Sequence, residues 1–139
     1  MNHSLKTPRF LAVCVLLAAV AVMAACGSSD SGTVRIDESK DGQTIEMKSG
    51  GTLIISLPSN PTTGYGWTVS DPTGGLEQQG DPAYTPQAGS TAVVGGGGTQ
   101  VLTFKAGSKG QYKLGLAYVR SFEPNAAPAD TFNITVTVK

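Results

Sequence analysis

After Cys26, hydrophobic and polar residues alternate with period two in short runs, and no stretch keeps a helical period for the ~10 residues a helix needs. In Thr52 to Leu57, the residues Leu53, Ile55 and Leu57 alternate with Thr52, Ile54 and Ser56. Thr131 to Val138 sets Phe132, Ile134, Val136 and Val138 against Thr131, Asn133, Thr135 and Thr137. Gln111 to Val119 carries Tyr112, Leu114, Leu116 and Tyr118 on one side, and Gln100 to Ala106 carries Leu102, Phe104 and Ala106. Each run reads as a strand with one dry and one wet face. Thr33 to Ile36, Thr44 to Met47, Trp67 to Ser70 and Leu76 to Gln79 complete the set. Seven or eight short strands, turn residues between them and no helix predict an all-β, immunoglobulin-like two-sheet sandwich, with a small closed barrel as the competing architecture. Trp67 is expected between the sheets, and the Pro, Gly, Ser and Thr-rich connection from Pro82 to Gly98 is expected to be functional or mobile.

The first 25 residues fall outside this pattern. Lys6 and Arg9 precede an uncharged apolar run of 16 residues, Phe10 to Ala25, and Cys26 follows small residues. That is a secretory signal peptide, and the run is short for a spanning helix, which needs roughly 20 apolar residues. Met23-Ala24-Ala25-Cys26 resembles a bacterial lipobox, so residues 1–25 are expected to be removed and Cys26 to carry lipid. An ordinary signal peptide cut near a cysteine is the alternative; against it, Cys26 would then be a stray thiol in an exported protein. Gly27-Ser28-Ser29-Asp30-Ser31-Gly32 reads as a flexible tether in residues 26–32, leaving 33–139 as the folded domain. The expected protein is exported, monomeric and lipid-anchored at the bacterial cell envelope.

Without residues 1–25 the chain keeps 114 residues, enough for one domain with its own core, and 8 Lys plus Arg against 10 Asp plus Glu. That balance gives no reason to expect a nucleic-acid partner. The chain's one histidine, His3, lies in the leader, and Cys14 goes with it. His- or Cys-based nucleophilic catalysis then has no base and no free thiolate, and metal-ligand spacing is absent. No enzyme, metal or cofactor is expected.

Three loops differ from the rest. Asn60-Pro61-Thr62-Thr63-Gly64-Tyr65 joins two patterned strands; Pro61 fixes its own φ and biases Asn60 toward extension, both threonines are stiff at χ1, and Gly64 can turn the chain with φ > 0. Val94-Gly95-Gly96-Gly97-Gly98-Thr99 precedes a strand, and four glycines in a row serve close backbone approach or flexibility. Arg120-Ser121-Phe122-Glu123-Pro124 places a guanidinium and an aromatic ring beyond a strand that ends at Val119. In an immunoglobulin-like sandwich the connections between strands two and three, four and five, and six and seven emerge at one end. Counting Thr52 to Leu57 as strand two puts these loops in those connections and predicts a tripartite binding edge.

These loops make the chain similar to the chagasin-type inhibitors of papain-family cysteine proteases. Asn60 to Tyr65 matches that family's first loop at every position, the stretch ending in Gly97-Gly98 resembles its second, and Arg120 to Glu123 stands where the family has Arg-Pro-aromatic. The resemblance implies an immunoglobulin-like fold whose first loop enters the cleft of a papain-like cysteine peptidase. Pro61, Thr62, Thr63 and Gly64 would occupy the cleft, Gly95, Gly96, Gly97 and Gly98 would pair backbone with one wall, and Arg120 with Phe122 would pack on the other side. Ser121 stands where the family has Pro, so the third loop has one φ lock fewer. A surface adhesion or assembly module using the same edge for a non-protease partner is the alternative role, since fold does not fix function.

Overall fold

A computed structural model describes residues 32–71, 73–87 and 95–139. The leader, Cys26, the tether up to residue 31 and residues 88–94 of the long connection lie outside the described residues.

Among the described residues there are nine strands, eight of them from the period-two runs: β1 (Thr33–Asp37), β2 (Thr44–Met47), β3 (Thr52–Ser59), β4 (Tyr65–Val69), β5 (Leu76–Gln78), β6 (Ala83–Pro86), β7 (Gly98–Ala106), β8 (Gly110–Arg120) and β9 (Asp130–Val138), with β6 the additional one. One sheet has the order β1-β3-β7-β5, with β6 also paired to β7; the other has the order β2-β9-β8-β4. β1 runs parallel to β3 and β2 parallel to β9, while the remaining pairs are antiparallel. Two single-turn 3₁₀ segments, Glu38–Lys40 and Pro61–Thr63, punctuate the strands.

The dry rows read from the sequence meet between the sheets. Leu53, Ile55, Leu57, Leu102 and Phe104 of the first sheet are fully buried against Leu114, Leu116, Phe132 and Val136 of the second. Burying each such side chain contributes about 1.5–3 kcal/mol, so this layer is the main source of stability. Trp67 is buried at 4% exposure between the sheets, and its indole Nε1 donates to the Pro58 carbonyl at 2.9 Å. That bond satisfies the one polar atom the ring takes into the core.

The structure moves several expected boundaries. The connection from Pro82 contains β6, four exposed residues that pair with Gly98 to Val101 of β7. Tyr65 belongs to β4 rather than to the loop, and β8 reaches Arg120. Because two strands precede β3, the three loops connect β3 to β4, β6 to β7 and β8 to β9. They still share one end: Ser59 pairs with Gly98 where β3 leaves and β7 begins, and Tyr65 pairs with Arg120 where β4 begins and β8 leaves.

Candidate functional site

The first loop folds on Asn60. Its carbonyl accepts the Thr63 N–H at 3.1 Å and the Thr63 hydroxyl at 2.6 Å, and its Oδ1 accepts the Thr62 hydroxyl at 2.6 Å. The Asn60 N–H donates to the Tyr118 hydroxyl at 2.8 Å, anchoring the loop to β8. Pro61 sits at the start of the 3₁₀ turn, where its missing N–H costs nothing, and Gly64 closes the turn at φ 80° with its N–H on the Pro61 carbonyl at 2.9 Å. Pro61, Thr62 and Thr63 form the exposed crest.

The flanking loops are tied to this crest. The Asn60 side-chain amide donates from Nδ2 to the Gly95 carbonyl at 2.9 Å, joining loops one and two. Gly95 has φ 93°, and a Cβ on Gly98 would collide with the Thr85 carbonyl, so both positions favour glycine for backbone reasons. Gly96 and Gly97 lie half-buried between them. Arg120 reaches from the end of β8 to donate Nε to the Thr63 carbonyl at 3.2 Å, joining loops one and three. Its guanidinium lies 4.4 Å from the centre of the Tyr65 ring. Tyr65 stacks on Tyr118 at 5.2 Å, and Tyr118 packs on Trp67 at 5.1 Å, so an aromatic column runs from the core to the edge.

Phe122 is 67% exposed and lies over Gly64, where a Cβ would come within 2.8 Å of its ring. Although Ser121 lacks the φ lock of a proline, other restraints act on this turn. The Glu123 N–H donates to the Arg120 carbonyl at 3.0 Å, and the Glu123 carboxylate meets Arg120 Nη1 at 3.3 Å. The ion pair is surface-exposed and contributes modestly; the backbone bond defines the turn.

All the expected loop residues thus gather at one end, while Cys26 lies outside the described residues. Gln100, which the sequence reading left unremarked, lies directly beneath them. Its side chain accepts from the Trp67 N–H at 2.9 Å, donates to the Trp67 carbonyl at 2.9 Å, and accepts from the Ser59 hydroxyl at 3.3 Å. β4 is an edge strand, so the amide of Gln100 acts as a surrogate strand that ties one sheet to the other below the loops. The available signal was an inward-facing glutamine at the end of the row Leu102, Phe104 and Ala106. Among the described residues no group of three His, Cys, Asp or Glu side chains is placed to hold a metal ion.

The site is therefore a preorganised, three-loop binding edge on an all-β sandwich. Comparisons with known proteins agree with that class. The family described as "Chagasin family peptidase inhibitor I42" matches residues 46–136. Amoebiasin-1 of Entamoeba histolytica is 32% identical over 104 residues, covering 75% of this chain and 98% of its own. Chagasin of Trypanosoma cruzi is 24% identical over 105 residues, covering 72% and 93% respectively. Among solved structures, the cysteine protease inhibitor EhICP2 from Entamoeba histolytica superposes with a TM-score of 0.67 at 21% identity, covering 77% of this chain and 96% of its own. Amebosin superposes with a TM-score of 0.64 at 30% identity, covering 78% and 98%. The chain belongs to the chagasin family of peptidase inhibitors. That is a family of inhibitors, not of enzymes.

Proposed function

We propose that this protein inhibits papain-like cysteine peptidases as a monomer by seating Pro61 to Gly64 over the catalytic cysteine, with Gly95 to Gly98 and Arg120 with Phe122 against the two walls of the cleft. The cross-bracing of the three loops through Asn60 and Arg120 carries this reading. A peptidase of this class attacks a carbonyl in an extended segment. Residues Pro61–Thr63 instead form a 3₁₀ turn held by the bonds at Thr63 and Gly64. Such a crest fills the cleft without offering an aligned scissile bond. Because the loops are already ordered, little of the binding energy goes into fixing them, and an interface of about 1,600 Å² then supports nanomolar affinity, about 12 kcal/mol.

The same proposal places the mature chain at the bacterial envelope, exported by residues 1–25 and held by lipid on Cys26. The lipobox-like Met23-Ala24-Ala25-Cys26 and the Gly and Ser-rich tether support that part. Titrating the chain from Cys26 onward into papain with a fluorogenic substrate tests the inhibitor. The wild type abolishes activity at a one-to-one ratio, while a Thr62→Asp, Thr63→Asp variant, which adds charge to the crest, loses inhibition. No inhibition by micromolar wild-type protein overturns the assignment. Mass spectrometry of the mature N-terminus tests the anchor, and an unmodified Cys26 removes it.

A further inference from the structure

The register of β1 fixes where the tether meets the domain. Thr33 pairs with Thr52 at the start of β3, and the Gly32 carbonyl accepts the Thr52 N–H at 3.0 Å. Ser59, at the other end of β3, leads into the binding edge. The run of steps from Thr52 to Ser59 along this eight-residue strand, at about 3.3 Å each, separates the two poles by roughly 23 Å. The chain therefore enters the domain at the pole opposite its loops.

Charge follows the same axis. Lys48, Lys105, Lys109 and Lys139 surround the tether pole, all exposed. Lys105 faces Thr52 in the ladder, Lys109 lies in the β7–β8 connection, and Lys139 donates its N–H to Met47 beside Lys48. Glu46, ion-paired with Lys139 at 2.7 Å, and Glu77, opposite Lys105, offset two of the four, and Asp30 of the tether sequence offsets a third, which leaves the pole net positive. Lys113 and Asp71 line one hollow further up the second sheet and offset each other. The loop pole has the opposite sign. Asp37, Glu38, Asp41, Glu123 and Asp130 lie towards it, against Lys40 and Arg120.

We infer that the lysine pole is a second interaction surface, which rests on the anionic headgroups of the bilayer holding the anchor and so aims the inhibitory edge away from the membrane. The inference depends on the anchor reading above and adds an orientation to it. A tether of six residues spans at most about 20 Å, which keeps the pole within reach of the headgroups. Each lysine held at an anionic surface favours contact by roughly fivefold, and the acidic loop pole is repelled by the same field. A peptidase arriving from solution then meets the crest rather than the membrane-facing pole.

Cys26 is the only thiol from residue 26 onward, so it can be coupled through a maleimide to a phospholipid in preformed vesicles, whatever the cell does to it. The test acylates lysines on neutral phosphatidylcholine vesicles and on vesicles containing one quarter phosphatidylglycerol, and maps the modified residues by mass spectrometry. On the anionic vesicles Lys48, Lys105, Lys109 and Lys139 are expected to react at least about fivefold more slowly than on neutral ones, while Lys40 is unchanged. A Lys48→Glu, Lys109→Glu variant loses the difference. Equal protection of Lys40, or no dependence on vesicle charge, overturns the inference. The footprint decides orientation independently of the papain titration, which decides inhibition, and of the native N-terminal mass, which decides the anchor.

Discussion

Replacing Gln100 with Met keeps the length of the side chain and removes the three contacts it makes beneath the loops. The Trp67 N–H and carbonyl, both bonded to Gln100 at 2.9 Å, are left facing a thioether. A neutral hydrogen bond contributes about 1 kcal/mol net, and an orphaned buried backbone group costs about 1–3 kcal/mol. Gln100 is half-buried, so water reaches part of the gap and the lower end of that range applies. The expected loss is about 2 kcal/mol. With a urea m-value of about 2 kcal/mol/M, the midpoint falls by roughly 1 M at unchanged m. Trp67 is the sole tryptophan and lies at the perturbed point, so its fluorescence reports the transition directly. Gln111→Met, on an exposed position of β8, serves as control and leaves the midpoint where it is. Because Gln100 also ties the root of the first loop to the second sheet, inhibition of papain should weaken several-fold. A Gln100→Met protein with wild-type midpoint and wild-type inhibition would refute the claim that this amide holds the sheets together under the edge.

Gly64→Ala combines left-handed strain at φ 80° with a contact on the Phe122 ring, whereas Gly95→Ala has φ 93° and open space around it. Both should lose about 1 kcal/mol by urea denaturation, but only Gly64→Ala displaces Phe122, so it should show the larger rise in the papain inhibition constant, about tenfold. Asn60→Asp replaces the amide that donates to the Gly95 carbonyl with a carboxylate oxygen facing it; inhibition at pH 7 should fall about tenfold or more, and beyond that of Asn60→Ala. Asp37 caps the 3₁₀ turn by accepting from the Ser39 hydroxyl and N–H, and the Ser39 bonds hold its carboxyl below its ordinary value of 3.8. A depressed carboxyl stabilises the fold above its unfolded pKa and loses that contribution as pH falls through the folded one. Asp37→Asn should therefore lower the urea midpoint slightly at pH 7 and flatten its loss below about pH 4, so that the two proteins converge in acid.

The sandwich and its dry rows were legible because β3, β7, β8 and β9 each bury one face, and a one-face strand writes a period-two pattern into its residues. β6 was not legible: all four of its residues are exposed, so nothing alternates, and its order comes from backbone pairing with β7. The parallel pairings of β1 and β2 were equally silent, since pairing partners depend on topology rather than on local pattern. At the site, the loop residues stood out by composition, through proline, glycine and paired threonines. Their bracing did not. Asn60 reads as a turn residue, yet it bonds to Thr62, Thr63, Gly95 and Tyr118, the last two 35 and 58 residues away in sequence. Tyr118 reads as core, yet its hydroxyl holds the loop. Such dual roles arise where a core strand ends beneath a surface loop, and composition there records only one of the two environments.

Hydrogen exchange on the free and papain-bound protein tests the central claim most directly. In the free protein the bonded amides of Asn60, Thr63, Gly64 and Glu123 should already exchange slowly, because the edge is formed before it binds. On binding, Asn60 to Tyr65, Gly95 to Gly98 and Arg120 to Glu123 should gain protection together, while the Lys48 and Lys109 turns at the opposite pole stay unchanged. Fast exchange of those amides in the free state, or protection confined to one loop, would contradict a preformed edge that engages the peptidase as a unit.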